Sequence, residues 1–431
     1  MGKKVLIVTV SAPPCGGSHA TRISAIVEGF NSNGVNVALI TCQSSAAVCD
    51  NSILYKRLKE MSVIIQTSGG VVRAAASSVG NVSNAELNLE KYIQKIRAYV
   101  RRKMIPDTYI SWVPGAVRAG LNCIKESEVE IIVSSGAPFS AHIAAFIISK
   151  ISGVPLALDY GDPWVYEPGR PRRGLRLLFE RSLERLILNN SIITSFTTGP
   201  TIQLYNNTYA KINTCYYMLP MGFNKDEYIE HSNRREDKSR KLSFVYAGRI
   251  NEEYRSLDSL ILLLDYEVGN NKNNINNNQV EFVFYGNELG GVRKQLDYYA
   301  RLGLVRFEHN LDHKEYIETI SESDGLVVFG NNSPIQIPGK IPHFLAARRP
   351  ILYLRNMEKS EYDPSYHLLI NIQLSHLYCG DSVNEYVSFK SACDIGAVPD
   401  INEVELNGLE WSNICNKYVS VLAGLIEKRN A

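Results

Sequence analysis

Apolar residues fall along this chain in short continuous runs, separated by stretches in which they recur at helical spacing. Val5-Leu-Ile-Val-Thr-Val10 is a β-branched run of the kind expected of a strand covered on both faces. Ser11 to Ser18 is rich in turn residues, with Pro13-Pro14 and Gly16-Gly17. From about Ala20 to Asn31, Ile23, Ile26, Val27 and Phe30 line one helical face, and Gly34 ends the helix. Val35 to Thr41 predicts a second strand, so strand, loop, helix and strand form a crossover unit and imply a parallel sheet. The pattern recurs: strands at Glu130–Ser135, Pro155–Tyr160 and Ile192–Thr197, with a helix over Ser140–Ile151. A second series begins at Leu242–Ala247 and continues with Val280–Tyr285, Gly325–Phe329 and Pro350–Leu354, again separated by helical patterns.

These elements predict an α/β protein of two doubly wound, Rossmann-like domains facing a cleft. Residues 1–217 form the first and 218–408 the second, joined near Met218-Leu-Pro-Met-Gly-Phe223. The last stretch, 409–431, carries Trp411, Ile414, Tyr418, Val421, Leu422 and Leu425 on one face and reads as a helix returning to the first domain. Gly269 to Asn278 is dominated by asparagine and reads as a surface loop.

Composition narrows the function classes. The 431 residues are 45% hydrophobic and 21% charged, which suits a folded protein and excludes collagen-like or wholly disordered chains. With 46 Lys and Arg against 44 Asp and Glu, the chain is not a globally basic nucleic-acid binder. Its eight cysteines, at 15, 42, 49, 123, 215, 379, 393 and 415, form no CxxC pair or zinc-finger spacing, so they read as reduced thiols and no metal is expected. Lys3-Lys4 before Val5–Val10 imitates a signal peptide, but the run is short and Pro13-Pro14 follows it; a buried first strand fits better. Ala141–Leu158, the longest mainly apolar stretch, is too interrupted for the ~20 residues of a membrane span.

Open parallel sheets bind ligands beyond the carboxyl ends of their strands, and the candidate residues lie in such loops. Gly16 and Gly17 follow the first strand and permit close approach of a ligand, although no GxGxxG is present. Tyr246-Ala-Gly-Arg249, with Arg255 six residues on, places guanidinium groups where they could bind a diphosphate. Gln336-Ile-Pro-Gly339-Lys340-Ile-Pro-His343 opens a helix with Lys340 in its first turn, a second contact for the same anion. Asp159-Tyr-Gly-Asp162-Pro-Trp164 ends another strand with a carboxylate able to orient a sugar hydroxyl or stabilise an anomeric cation.

Taken in order, the motifs resemble those of a large family. They are Pro13-Pro-Cys-Gly-Gly-Ser-His-Ala-Thr-Arg22, Ser134-Ser-Gly-Ala-Pro-Phe-Ser-Ala-His142, Leu158-Asp-Tyr-Gly-Asp-Pro-Trp164 and Leu219-Pro-Met-Gly-Phe223. Phe244-Val-Tyr-Ala-Gly-Arg249, and Ile337-Pro-Gly-Lys-Ile341 with Ala346-Ala-Arg-Arg-Pro-Ile-Leu352, complete the set. The whole chain is similar to the retaining glycosyltransferases of family 4, with the GT-B architecture, and most of all to bacterial enzymes of surface polysaccharide (O-antigen or capsule) synthesis. The resemblance implies a hexosyl donor, a nucleotide-diphosphate sugar, bound by the second domain, and a lipid-linked oligosaccharide acceptor bound by the first. It assigns the donor diphosphate to Arg249, Arg255, Lys340 and Gly339, the substrate loop to Gly16, Gly17 and Arg22, and sugar or acceptor chemistry to Asp162 and His142. His343 becomes a candidate for the donor ribose or sugar. No cofactor or metal is implied, because cations stabilise the leaving diphosphate; retention would follow from front-face attack, the departing phosphate helping to take the acceptor proton.

Three positions depart from the family pattern. His343 stands where a glutamate is usual, Gly161 where His or Arg precedes the aspartate, and Arg255 about one place beyond the usual lysine. Two alternatives stand beside the transferase: a nucleotide-sugar 2-epimerase, which shares the architecture, and, from His343 and Gly161, a degenerate transferase acting as a binding or assembly partner. Two basic amphipathic segments, Lys91–Lys103 and Arg170–Arg185, suit an anionic membrane surface. With the resemblance they imply a cytoplasmic enzyme held peripherally on the inner membrane; no RNA-binding motif accompanies the charge.

Overall fold

The computed structural model describes residues 4–43, 52–69, 104–168, 170–228, 241–248, 250, 255–270, 279–286, 290–357 and 361–430. Arg249, the basic segment 91–103 and most of the asparagine-rich loop (271–278) lie outside the described residues. The chain divides into two compact units, Met1–Pro220 with Cys415–Ala431, and Met221–Ile414.

The first unit is built on seven parallel strands: β1 (Lys4–Thr9), β2 (Asn36–Cys42), β3 (Ser62–Thr67), β4 (Ile131–Gly136), β5 (Leu156–Tyr160), β6 (Ile193–Phe196) and β7 (Cys215–Met218). Their order across the sheet is β3-β2-β1-β4-β5-β6-β7. Leu6, Val8, Ile132, Leu158 and Phe196 are buried together with Trp112 and Ile148 from the covering helices. Burial on both faces is why Val5–Val8 of β1 and Ile131–Val133 of β4 are continuously apolar, each such side chain contributing about 1.5–3 kcal/mol. The final helix, Trp411–Asn430, lays its residues from Cys415 onward against the first unit. There Tyr418 meets Phe30 at 6.4 Å and Tyr217 at 5.8 Å between ring centroids. Gly29 is the crossing point, because a Cβ at that position would lie 2.2 Å from the Cβ of Cys415.

The second unit has six parallel strands: β8 (Leu242–Ala247), β9 (Val280–Tyr285), β10 (Val305–Glu308), β11 (Gly325–Phe329), β12 (Ile351–Leu354) and β13 (Leu377–Cys379). They are ordered β10-β9-β8-β11-β12-β13. In each sheet the chain winds outward from the first strand, then crosses to its other side. The order therefore reverses between β1 and β4 and again between β8 and β11, where open sheets leave a crevice at the strand carboxyl ends.

Candidate functional site

At the reversal of the second sheet, β8 ends in Tyr246 and Ala247, followed by Gly248. Gly248 has φ 134, a conformation that favours glycine, and a Cβ there would lie 2.8 Å from the Lys340 ammonium, which would have to move. Lys340 Nζ donates to the Ala247 carbonyl at 2.8 Å and lies 3.6 Å from the Tyr246 ring centroid. The Tyr246 hydroxyl accepts from Arg255 Nη1 at 2.9 Å. One buried tyrosine thus carries an ammonium on its face and a guanidinium on its hydroxyl. Arg255 is fixed from the side as well: its Nε donates to Asn331 Oδ1, beyond β11, at 2.9 Å. The next residue, Ser256, donates its backbone N–H to Asn356 Oδ1 at 2.9 Å, and Asn356 Nδ2 donates to the Gly330 carbonyl at 2.6 Å. The loop bearing Arg255 is therefore pinned to the ends of β11 and β12.

Among the described residues Lys340 has no carboxylate partner. Burial, and then the Arg255 charge, hold its pKa well below the ordinary lysine value. An anion arriving between the two cations would reverse that penalty. This arrangement suits a phosphate or diphosphate.

Lys340 is the N-cap of the helix Ile341–Ala346 rather than a residue of its first turn, and the helix is only six residues long. The charge here is accordingly that of the side chain, not of an extended helix dipole. Gly339 precedes it, half-buried, in the same turn. His343 faces the interior of the unit: its Nδ1 shares a 2.7 Å hydrogen bond with the Tyr228 hydroxyl, and Tyr316 packs edge-on at 5.6 Å. His313, bonded to Glu227 at 3.0 Å, lies beyond. Burial, then His313, lowers the His343 pKa to about 4, so the ring is neutral near pH 7.

At the reversal of the first sheet the residues are more enclosed. Asp159, on β5, is buried and accepts from Arg22 Nε at 3.0 Å and Nη2 at 2.6 Å, from Ser135 at 2.6 Å and from Ser195 at 2.9 Å. Arg22 also donates to the carbonyls of Leu219 and Pro220 at 2.9 and 3.1 Å. Arg22, expected in the substrate loop, instead ties the first helix to β5 and to the chain leaving β7. Burial alone would raise the Asp159 carboxyl; the Arg22 charge overcomes it and keeps the group below the usual range.

His142, to which the resemblance assigns sugar or acceptor chemistry, is fully buried. Its Nδ1 is 2.8 Å from Ser134 Oγ, the ring stacks on Tyr160 at 4.4 Å, and Nε2 has no hydrogen-bond partner among the described residues. That nitrogen points at Gly136, where a Cβ would come within 2.9 Å. Burial drives the His142 pKa to about 3. The more accessible histidine is His19, half-buried, with Nε2 3.1 Å from Thr9 Oγ1. Gly16 and Gly17 are exposed in the preceding loop, and Asp162 is exposed in the turn after β5. The Gly161 N–H donates to the Gly136 carbonyl at 2.9 Å, fixing that turn to β4.

Tyr246, Asn331, Asn356 and His19 received no role from the sequence. Tyr246 and Asn331 sit at the ends of strands the sequence does predict, which was their available signal. Among the described residues no group of three or more His, Cys, Asp or Glu is arranged to hold a metal ion.

The sequence matches no protein-family model, and no curated protein is significantly similar to it. Solved structures are. A glycosyltransferase from Rickettsia africae superposes with a TM-score of 0.62 at 10% identity, covering 99% of each chain. Anabaena HepE, solved in complex with UDP, does so at 0.58 and 12% identity, over 98% of this chain and 100% of that one. The chain has their two-domain, Rossmann-like fold. A UDP-GlcNAc 2-epimerase from Methanocaldococcus jannaschii also shares it, with a TM-score of 0.54 at 9% identity over 97% of this chain and 99% of that one. One architecture thus serves different reactions, and the residues at the reversals must decide between them.

Proposed function

We propose that the chain is a glycosyltransferase that takes a hexosyl group from a nucleotide-diphosphate sugar. The observation that carries this reading is the placement of Lys340 and Arg255 on Tyr246 at the carboxyl end of β8, with Lys340 lacking a carboxylate partner among the described residues. Two adjacent cations on one tyrosine can stabilise a leaving diphosphate without a metal. Gly339 lets the chain approach the phosphates, and Arg249 adds a further cation in the family pattern. His343, neutral and held by Tyr228, is assigned to the donor ribose.

In the first unit, Asp162 and the loop Gly16-Gly17 are assigned to the acceptor, with His19 at their side. Arg22 and His142 act from beneath it by fixing β4, β5 and the first helix. In our reading the chemistry is that of family 4: front-face attack with retention, the departing phosphate accepting the proton. The acceptor is a lipid-linked oligosaccharide of a surface polysaccharide such as lipopolysaccharide O-antigen or capsule. The enzyme works on the cytoplasmic face of the inner membrane, to which it attaches peripherally. No described helix is long and apolar enough to cross a membrane.

The test begins with a thermal-shift screen of nucleotide sugars, in which the true donor raises the melting temperature by mass action. That donor is then incubated with and without a membrane extract. Transfer that requires the extract supports the proposal; conversion of the sugar to its 2-epimer without acceptor would replace it with an epimerase. Tight donor binding with neither product would leave a binding or assembly partner.

A further inference from the structure

The helix Gly174–Leu188 presents an outward face unlike any expected of a solvated helix. Leu175, Leu178, Phe179 and Leu186 are 85, 62, 56 and 49% exposed. With Ser182 they follow the spacing i, i+3, i+4, i+7 and i+11, one continuous stripe along the helix. Ser182 does not interrupt it, since its hydroxyl turns back to donate to the Leu178 carbonyl at 2.8 Å.

Both acids of this helix point inward. Glu180 is fully buried, accepting from Trp164 Nε1 at 2.9 Å, Arg172 Nε at 3.3 Å and Arg176 Nε at 2.5 Å. Glu184, also fully buried, accepts from the Tyr205 hydroxyl at 2.6 Å and from the Tyr209 hydroxyl. What remains outside is apolar and basic. Arg173, Arg181 and Arg185 are exposed on the helix or at its cap, and Arg170 just before it is 72% exposed while loosely paired with Glu167 at 3.5 Å. Arg181 lies over the Tyr209 ring, 6.0 Å from its centroid, which leaves its charge at the rim of the stripe.

We infer that this face is the membrane-docking surface: the helix lies in the plane of an anionic bilayer, its stripe entering the headgroup–acyl boundary and its arginines meeting lipid phosphates. Charge complementarity selects the occupant. A protein groove would accept the leucines and the phenylalanine, but the absence of outward carboxylates on the helix favours a uniformly negative plane. The inference gives a location to the peripheral attachment proposed above and rests on that part of the reading, not on the transfer reaction. Glu180 and Glu184 offset the six arginines of Arg170–Arg185 along the sequence, but the fold removes both from the surface.

The experiment is flotation of the full chain with vesicles of phosphatidylcholine alone or mixed with phosphatidylglycerol, with no donor present. The protein is expected to float with the mixed vesicles and to remain behind with the neutral ones. Replacing Arg173, Arg181 and Arg185 with Gln should weaken binding about fivefold per arginine, about a hundredfold together. Leu175→Ser with Phe179→Ser should weaken it by at least about tenfold. All these side chains are outward, so an unchanged urea midpoint checks that the fold is intact. Binding equal to that of the unaltered chain in both variants would overturn the inference. So would failure of the unaltered chain to float with anionic vesicles, or self-association by the unaltered chain that the Leu175→Ser, Phe179→Ser variant abolishes. Because no sugar is involved, none of these results bears on transfer itself.

Discussion

The two sheet reversals use the same topology to opposite ends. In the first, the charge at the end of β5 is answered from within: Asp159 meets Arg22, two serines surround the carboxylate, and backbone carbonyls take further guanidinium donors. In the second, Lys340 and Arg255 gather on a neutral tyrosine, and Lys340 has no carboxylate among the described residues. A buried ion pair that is fully hydrogen-bonded fixes structure; a cation held only by neutral groups stays available to an incoming anion. In our proposal the difference separates a structural core from a ligand site even though both lie at strand carboxyl ends.

The contrast is broken most sharply by removing a partner from the balanced side. Arg22→Ala leaves Asp159 charged and buried, and is expected to cost about 3–5 kcal/mol of stability in urea unfolding. A loss below about 1 kcal/mol would mean that the pair is not the anchor of the first unit. On the unbalanced side, Lys340→Met removes a strained cation. The urea midpoint should hold or rise, while affinity for UDP, the probe suggested by the HepE complex, should fall about 10–100-fold, the value of one or two charged hydrogen bonds.

A pH series sharpens the comparison further. The His142 pKa, about 3, lies below its ordinary 6.5, so the unfolded chain binds more protons between these values. Its contribution to stability is fully present above pH 6.5 and is lost as pH falls toward 3, by at most about 1.4 kcal/mol for each pH unit. A His142→Gln variant should unfold with a shallower acid limb; an unchanged limb would assign acid sensitivity to other groups. The smallest effect is expected from Asn331→Ala, which loosens Arg255 without removing charge. UDP binding should weaken several-fold, and Arg255→Ala should then add less than it does in the unaltered chain.

The inner strands were legible because strands covered on both faces are predominantly apolar, and β1, β5, β8 and β9 each announce themselves in this way. The four strands that escaped prediction, β3, β7, β10 and β13, are the sheet edges. Cys215–Met218 and Leu377–Cys379 are short and half-exposed, so no run of Val and Ile marks them. The site was legible as strand ends but not as side-chain directions. Within Leu156–Tyr160 every residue is buried, so periodicity cannot tell that Asp159 turns to Arg22 while Asp162 remains outside. Nor does spacing tell that Lys340 comes back to Ala247 across 93 residues of sequence.

The central claim is that Lys340, pushed toward neutrality by burial and Arg255, is there to receive a diphosphate. Calorimetric titration of UDP at about pH 8.5, where its phosphates are ionised, in two buffers of different ionisation enthalpy counts the protons taken up on binding. Because the empty site lowers the Lys340 pKa and an anion restores it, the expected result is net proton uptake by the unaltered chain. Lys340→Met should bind more weakly and take up none. Equal affinities with equal proton uptake in the two proteins would contradict the claim.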